Sequence, residues 1–547
     1  MTDRDVVRFL WRSGSRWYGI RLDRVRRREH GPDQAILVGS LISLPRGITS
    51  REIDVLTLIA LGLTNVEVAQ RLGTQSRTVS TQIERLLNKL SQTGRAGLAA
   101  IAVDSGLIVL PIPGGAEGVT SIVQVSIQQN AATMDTSSAG RESLDVSFPA
   151  RAPFLLGTVA PLSGPAGADG IELVRGSTMA VSEINARGGI DGRLIEHVTE
   201  DADIFNPDAV RRAFEALFAR GVDAITTSYL SAENPFVLDL VADYGRPFLH
   251  TATLESQVEL VRAQPTRYSA VFQTCPSEKY YRLGFLRLIN ELANSGKWRP
   301  LTRRVVAIEV DVASSQIAND DLRVALTDDG WDVADVVRVP LKQANWTDIV
   351  ADIARHEPDV VLVTHFLADE IVALQAQIHR SKLKTLVYYV YAASIPQFQL
   401  RSGEAAEGVI WSTVTGRYDD AMGQRFQREF LTRFGEEPGW SQASAAYDQV
   451  YLLAAAWTEA GSGNPRKVSD HLRKSVYRGL NGVYFLGSPG QAALCYPDET
   501  TDSSLGQALM TFQIQSGQPV ILGPNSKGSV AAFRSPWATE HPISQNA

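Results

Sequence analysis

Between residues 76 and 90 the chain sets hydroxyl, amide and charged side chains around an apolar spine. Arg77, Thr78, Ser80, Thr81, Gln82, Glu84, Arg85 and Lys89 offer donors and acceptors. Val79, Ile83, Leu86 and Leu90 recur at spacings of four, three and four. Such a set forms hydrogen bonds to a polar, charged surface; it does not make or break covalent bonds. Sequence signatures of catalysis are missing. There is no Gly-Lys-Ser/Thr phosphate loop, no His-Glu-x-x-His pair and no Gly-x-Ser-x-Gly turn. The eight histidines follow no metal-ligand spacing, so a binder is expected, with no catalytic residue, metal or cofactor.

The elements that must position the 76–90 helix announce themselves locally. The Thr49 hydroxyl can accept from a free backbone N–H, and Glu52, three residues on, can reach back to Thr49, completing a capping box. Thr64 and Glu67 repeat the arrangement, with Ile48/Ile53 and Leu63/Val68 as hydrophobic staples. Gly62 fits the left-handed residue that closes the first helix. A further helix is expected over Arg95 to Ala102, giving a compact all-α unit.

The run Thr49, Arg51, Glu52, Val55-Leu56, Gly62-Leu63-Thr64-Asn65, Glu67, Ala69 and Leu72 resembles the LuxR-type (GerE) helix-turn-helix. Ser76, Thr78-Val79 and Lys89-Leu90 continue the match. The resemblance implies that the helix from Ser76 to Leu90 enters the DNA major groove, and that two copies bind paired half-sites as a homodimer. The chain departs from that family in lacking the usual basic residue and histidine in the first turns of this helix; Ser80, Thr81, Gln82 and Glu84 stand there. Hydroxyls and amides still read base edges, glutamine suiting adenine, and Glu84 suits a cytosine amino group. Arg77, Arg85, Lys89 and Arg95 remain for phosphate. Residues 1 to 104 hold sixteen Lys+Arg against ten Asp+Glu, which leaves 37 against 50 for the remainder. Positive charge is thus concentrated where a duplex would bind. The basic run Arg21, Arg24, Arg26, Arg27 and Arg28 is either a further phosphate-contacting arm or a solvated strand or turn.

Residues 1–46 are expected to form a short β-hairpin-like segment, with strands at Trp17–Leu22 and Ala35–Ile42 around a 30–33 turn. The helical unit takes 47–110. Residues 111–150, rich in Pro, Gly, Ser, Gln and Ala, read as a linker with one possible strand at Val119–Ile127. At 547 residues, 44% hydrophobic and 21% charged, the chain is long enough for two to four ordinary globular domains. Neither an export signal nor a membrane span is visible, and Cys275 and Cys495 read as free thiols; a cytoplasmic location away from membranes is expected.

From 151 to 547 apolar runs alternate with amphipathic stretches. Strands are expected at Phe154–Val159, Leu194–Val198, Ala224–Thr227, Pro247–His250, Val305–Glu309, Val333–Val339, Val360–Thr364 and Thr385–Val390. That alternation predicts two parallel sheets covered on both faces, with a ligand cleft between them. Pro161-Leu162-Ser163-Gly164-Pro165, Gly176, Ala180, Glu183-Ile184-Asn185, Gly188-Gly189-Ile190, Gly221-Val222-Asp223 and Ala445-Ala446-Tyr447-Asp448 resemble the type 1 periplasmic-binding fold, in its branched-chain amino acid, amide and urea branch. The fold class is therefore multidomain: an all-α helix-turn-helix plus an α/β two-lobed type 1 periplasmic-binding fold.

The resemblance implies ligand contacts from Ser228, Tyr229, Ser231, Thr251 and Thr253 in the first lobe. Ser231 would add the N-terminus of its helix, which suits an anion or carbonyl. Asp311, Phe366 and Tyr391 are the second-lobe candidates, and His365 is expected to be structural. The whole predicts a transcription regulator with DNA and a small-molecule effector as partners. Two alternatives stay open: a solute sensor acting through a protein partner, and a transport receptor.

Overall fold

The computed structural model describes residues 6–13, 16–25, 34–92, 94–113, 152–190, 192–228, 235–312, 315–342 and 344–536. The chain divides into two compact units, Met1–Val146 and Ser147–Ala547. The expected linker and its Val119–Ile127 strand lie outside the described residues, as do Arg26 to Arg28.

In the first unit, α1 (Ser50–Ala60), α2 (Asn65–Arg71), α3 (Ser76–Leu90) and α4 (Arg95–Asp104) follow one another. Both capping boxes form. The Thr49 N–H donates to Glu52 Oε2 at 2.7 Å, and the Thr64 N–H donates to Glu67 Oε2 at 2.7 Å. Gly62, with φ +90°, takes the left-handed turn between α1 and α2. The two strands expected before the helices are present as β2 (Arg16–Val25) and β3 (Gln34–Ile42). A strand not foreseen, β1 (Val6–Ser13), precedes them. β4 (Val109–Leu110) closes the sheet in the order β3-β2-β1-β4, parallel to β1. Phe9, Leu10 and Trp17 from the sheet share one core with Ile53, Leu56, Val68, Val79, Leu86 and Leu98 from the helices. The Val109 N–H donates to the buried Thr57 hydroxyl at 3.0 Å, tying β4 to α1.

In the second unit, β6 (Ile195–Asp201), β5 (Phe154–Ala160), β7 (Ala224–Thr227), β8 (Phe248–His250) and β9 (Val271–Gln273) form one parallel sheet in that order. The other sheet runs β11 (Asp332–Val339), β10 (Arg304–Val310), β12 (Val360–Val363), β13 (Leu386–Val390) and β14 (Ile410–Thr413), all parallel. Two antiparallel strands extend it, Met510–Gln515 and Gln518–Gly523. Alternate residues of the second sheet enter separate cores, Val305, Ala307, Leu362 and Tyr388 on one face and Val306, Ile308, Val363 and Tyr389 on the other. Burial on both faces explains the apolar runs 305–308, Val360–Val363 and Leu386–Val390. In the first lobe the helices Gly167–Ala186 and Gln442–Ala460 lie in direct contact. A Cβ on Gly176 would overlap the Ala443 carbonyl oxygen, so glycine is needed there. Among the described residues the chain crosses between lobes near 274–279, 414–420 and 486–509.

Candidate functional site

The cleft between the two sheets holds an open cavity of about 860 Å³, its mouth included. Its walls come from segments that leave the carboxyl ends of strands, as expected for parallel sheets. Ile204 and Phe205 follow β6, Thr251 and Thr253 follow β8, and Val312, Ser315 and Ile317 follow β10. Thr364 and Phe366 follow β12, and Val390 and Tyr391 close β13. Tyr281, Thr415 and Gln442 come from or beside the crossings.

Of the residues proposed from sequence, Thr251, Thr253, Phe366 and Tyr391 are brought together on this wall. Ser228 is buried at the end of β7; its carbonyl accepts the Thr251 N–H at 2.5 Å and the Thr251 hydroxyl at 2.7 Å. Tyr229 and Ser231 lie outside the described residues. Asp311 is exposed and absent from the wall, where its neighbours Val312 and Ser315 stand instead. His365 is fully buried and accepts the Leu367 N–H on Nδ1 at 3.3 Å. Burial pushes its pKa down to about 4, so it stays neutral and packs as a core residue.

The lobes meet around the cavity. Tyr391 sits at φ +66°, ψ −51°, a strained conformation for a residue with a side chain. Its hydroxyl donates to Asp169 Oδ1 at 2.9 Å and accepts from Gln442 Nε2 at 2.9 Å, joining the second lobe to two helices of the first. Phe205 and Phe366 stack across the gap with ring centroids 6.1 Å apart. Sequence reasoning missed Phe205 and Thr415, in connecting segments, and Tyr281 and Gln442, in the first turns of helices, none of them with a local signal.

In the first unit, Arg77, Thr78, Thr81, Glu84 and Arg85 are exposed along α3, and Ser80 and Gln82 are half-buried. The Ser80 hydroxyl donates to the Ser76 carbonyl and accepts from Asn65 Nδ2, both at 3.2 Å. Two cations expected at phosphate are engaged inside the unit. Lys89 Nζ donates to the Gly47 carbonyl at 2.7 Å and to Glu52 Oε2 at 2.8 Å, while Arg95 bonds Asn65 Oδ1 at 2.7 Å and the Leu63 carbonyl. Burial opposes ionisation of Glu52, but Lys89 and the Thr49 N–H outweigh it and hold the carboxyl below its ordinary range. Lys89→Met would leave that buried carboxylate short of its cation and is expected to destabilise α1 against α3 by about 2 kcal/mol. Amide hydrogen exchange in α1 of the intact chain reads this out; unchanged protection at Leu56 to Ile59 would refute it.

Comparison with known proteins finds a family for each of the two units. The periplasmic binding protein family matches residues 153–497, and the bacterial regulatory protein luxR family matches residues 46–102. One is a solute-binding family and the other a family of DNA-binding regulators. A Leu/Ile/Val-binding protein homolog 7 from Brucella melitensis is 25% identical over 232 residues, covering 42% of this chain and 56% of that protein. The transcriptional regulatory protein MctR from Rhizobium johnstonii is 43% identical over 61 residues, covering 11% of this chain and 28% of that protein. The chain thus spans only part of the length of either curated relative. A solved structure of a putative branched-chain amino acid ABC transporter from Silicibacter pomeroyi superposes with a TM-score of 0.64 at 30% identity, over 70% of this chain and 100% of that one. Through residues 153–497 the chain belongs to the periplasmic binding protein family, and through residues 46–102 it carries a luxR-family helix-turn-helix.

Proposed function

We propose that the protein is a ligand-responsive DNA-binding transcription regulator. Its two lobes close on a small polar solute such as an amide, urea, amino acid or similar compound, and α3 reads the major groove. The union of a luxR-family helix-turn-helix and a solute-sized cleft in one chain carries this reading. Among the described residues no helix is long and apolar enough to cross a membrane, and a cytoplasmic location follows from the need to reach DNA. Homodimerisation fits paired half-sites. It is supported by β3, which among the described residues is an edge strand, carries no charged residue and exposes Leu37, Val38 and Leu41.

Closure changes the free energy of DNA binding only as far as solute affinity differs between the two DNA-binding states. Duplexes selected from a randomised pool, titrated with the full chain, should bind with a salt slope of about −0.9 per phosphate contacted. The double substitution Arg77→Ala, Arg85→Ala is expected to lower that slope by about 2 and to weaken all sequences alike. A saturating solute should shift DNA affinity by roughly 5- to 150-fold. Failure to enrich any duplex would sink the regulator reading. It would favour a sensor acting through a protein partner, the reading that the internal engagement of Lys89 and Arg95 supports.

A further inference from the structure

Among the described residues lining the cavity none carries a formal charge. Yet two polar atoms there are left without a hydrogen-bond partner: Thr415 Oγ1, on a residue 3% exposed, and Gln442 Oε1, on a residue 5% exposed. The orientation of Gln442 follows from its neighbours. The Tyr391 hydroxyl gives its single hydrogen to Asp169 Oδ1. The Tyr391 oxygen can then only accept from Gln442, which must present Nε2 to it. Gln442 Oε1 is thereby left as an acceptor, and Thr415 on the same wall can donate or accept.

Resting on the reading of the cleft as a solute site, we propose that Gln442 is its specificity determinant. It selects solutes whose buried polar end is an uncharged donor, an amide N–H or a hydroxyl, carried on an apolar or aromatic body. Within the range of solutes given above it excludes the ammonium-bearing ones, free amino acids included. An ammonium taken from water into this wall would meet neutral acceptors and no carboxylate among the described lining residues, and its lost hydration would go uncompensated. Phe205, Phe366 and Tyr281 supply the apolar surface against which the rest of the solute packs.

The test is a calorimetric titration of the full chain with four compounds sharing one body: 3-phenylpropanamide, 3-phenylpropanoate, 3-phenylpropylamine and L-phenylalanine. The amide is expected to bind about tenfold or more tightly than the carboxylate, the amine and L-phenylalanine. Gln442→Glu, which replaces the neutral acceptor by a carboxylate, should reverse the order of amide and amine. Tyr391→Phe removes the hydroxyl that orients Gln442; the side-chain amide can then turn, and the preference for amide over carboxylate should narrow. Binding of the amine or L-phenylalanine as tight as that of the amide in the native chain would overturn the proposal while leaving a solute site intact. So would a Gln442→Glu chain that still prefers the amide. Binding of none of the four would overturn the solute-site reading and this proposal with it.

Discussion

Asp448→Ala is expected to destabilise the two-lobed unit by about 4 kcal/mol. Asp448 lies on the Gln442–Ala460 helix and is 1% exposed. Its carboxylate accepts from the Leu480 N–H at 2.8 Å, the Asn481 N–H at 3.0 Å, Asn481 Nδ2 at 3.1 Å and Tyr484 Oη at 2.8 Å. These donors belong to the hairpin of β15 (Val476–Gly479) and β16 (Gly482–Phe485), which leads into the last crossing between the lobes. The packing is close: a Cβ on Gly479 would lie 2.5 Å from Asp448 Cγ. Removing the carboxylate leaves four donors facing a void with no room for rearrangement, and each buried donor left unpaired costs about 1–3 kcal/mol. Burial pushes the Asp448 pKa up to about 6 against the pull of these donors. Asp448→Asn should not restore stability, because its amide hydrogens would face hydrogens. Urea unfolding of the full chain measures both variants; a loss below about 1 kcal/mol for alanine would show that the hairpin is held by its apolar contacts alone.

This aspartate also shows what a sequence discloses and what it withholds. Ala445-Ala446-Tyr447-Asp448 is recognisable as a pattern, but its purpose lies in donors more than thirty residues away. The caps at Thr49 and Thr64 were legible because every partner sits within three residues. The parallel strands were legible because burial on both faces forces apolar runs, as at Val360–Val363. β1 escaped because Arg8, Trp11 and Arg12 interrupt its pattern, although its main partner β2 follows directly in the chain. The strands Met510–Gln515 and Gln518–Gly523 escaped because they join a sheet whose other strands end about a hundred residues earlier. In the cleft, Thr251, Thr253, Phe366 and Tyr391 could be found at strand ends. Gln442 and Thr415 reach the wall only through the way the crossings set one lobe against the other, which no short window of sequence encodes.

The second large effect is a dependence on pH centred on Glu172. This residue lies on the Gly167–Ala186 helix, 5% exposed, and its Oε2 accepts the Gly439 N–H at 2.8 Å. Next along the chain, the Trp440 N–H donates to the Ser394 carbonyl of the second lobe at 3.1 Å, so both lobes grip the Gly439–Trp440 segment. Burial pushes the Glu172 carboxyl up to about 7; the Gly439 N–H and Arg175 pull it down, while the charges of Asp169 and Glu436 add to the rise. Arg417, buried with its guanidinium 4.0 Å above the Trp440 ring, is a further charge nearby. A carboxyl whose folded pKa lies above its unfolded value of 4.5 favours folding in its protonated form. Its contribution is complete below about 4.5, declines as pH rises through 7 and is gone above that. The difference across this window is about 3 kcal/mol. Glu172→Gln keeps an acceptor for Gly439 but cannot ionise, so its stability should fall less than that of the native chain between pH 5 and 8.5. Subtracting the two profiles removes Asp448 and the other groups titrating in the same range. Parallel profiles would mean that Glu172 is already ionised at pH 5, its charge balanced by Arg175 or Arg417, and that the grip on Gly439 owes nothing to its proton.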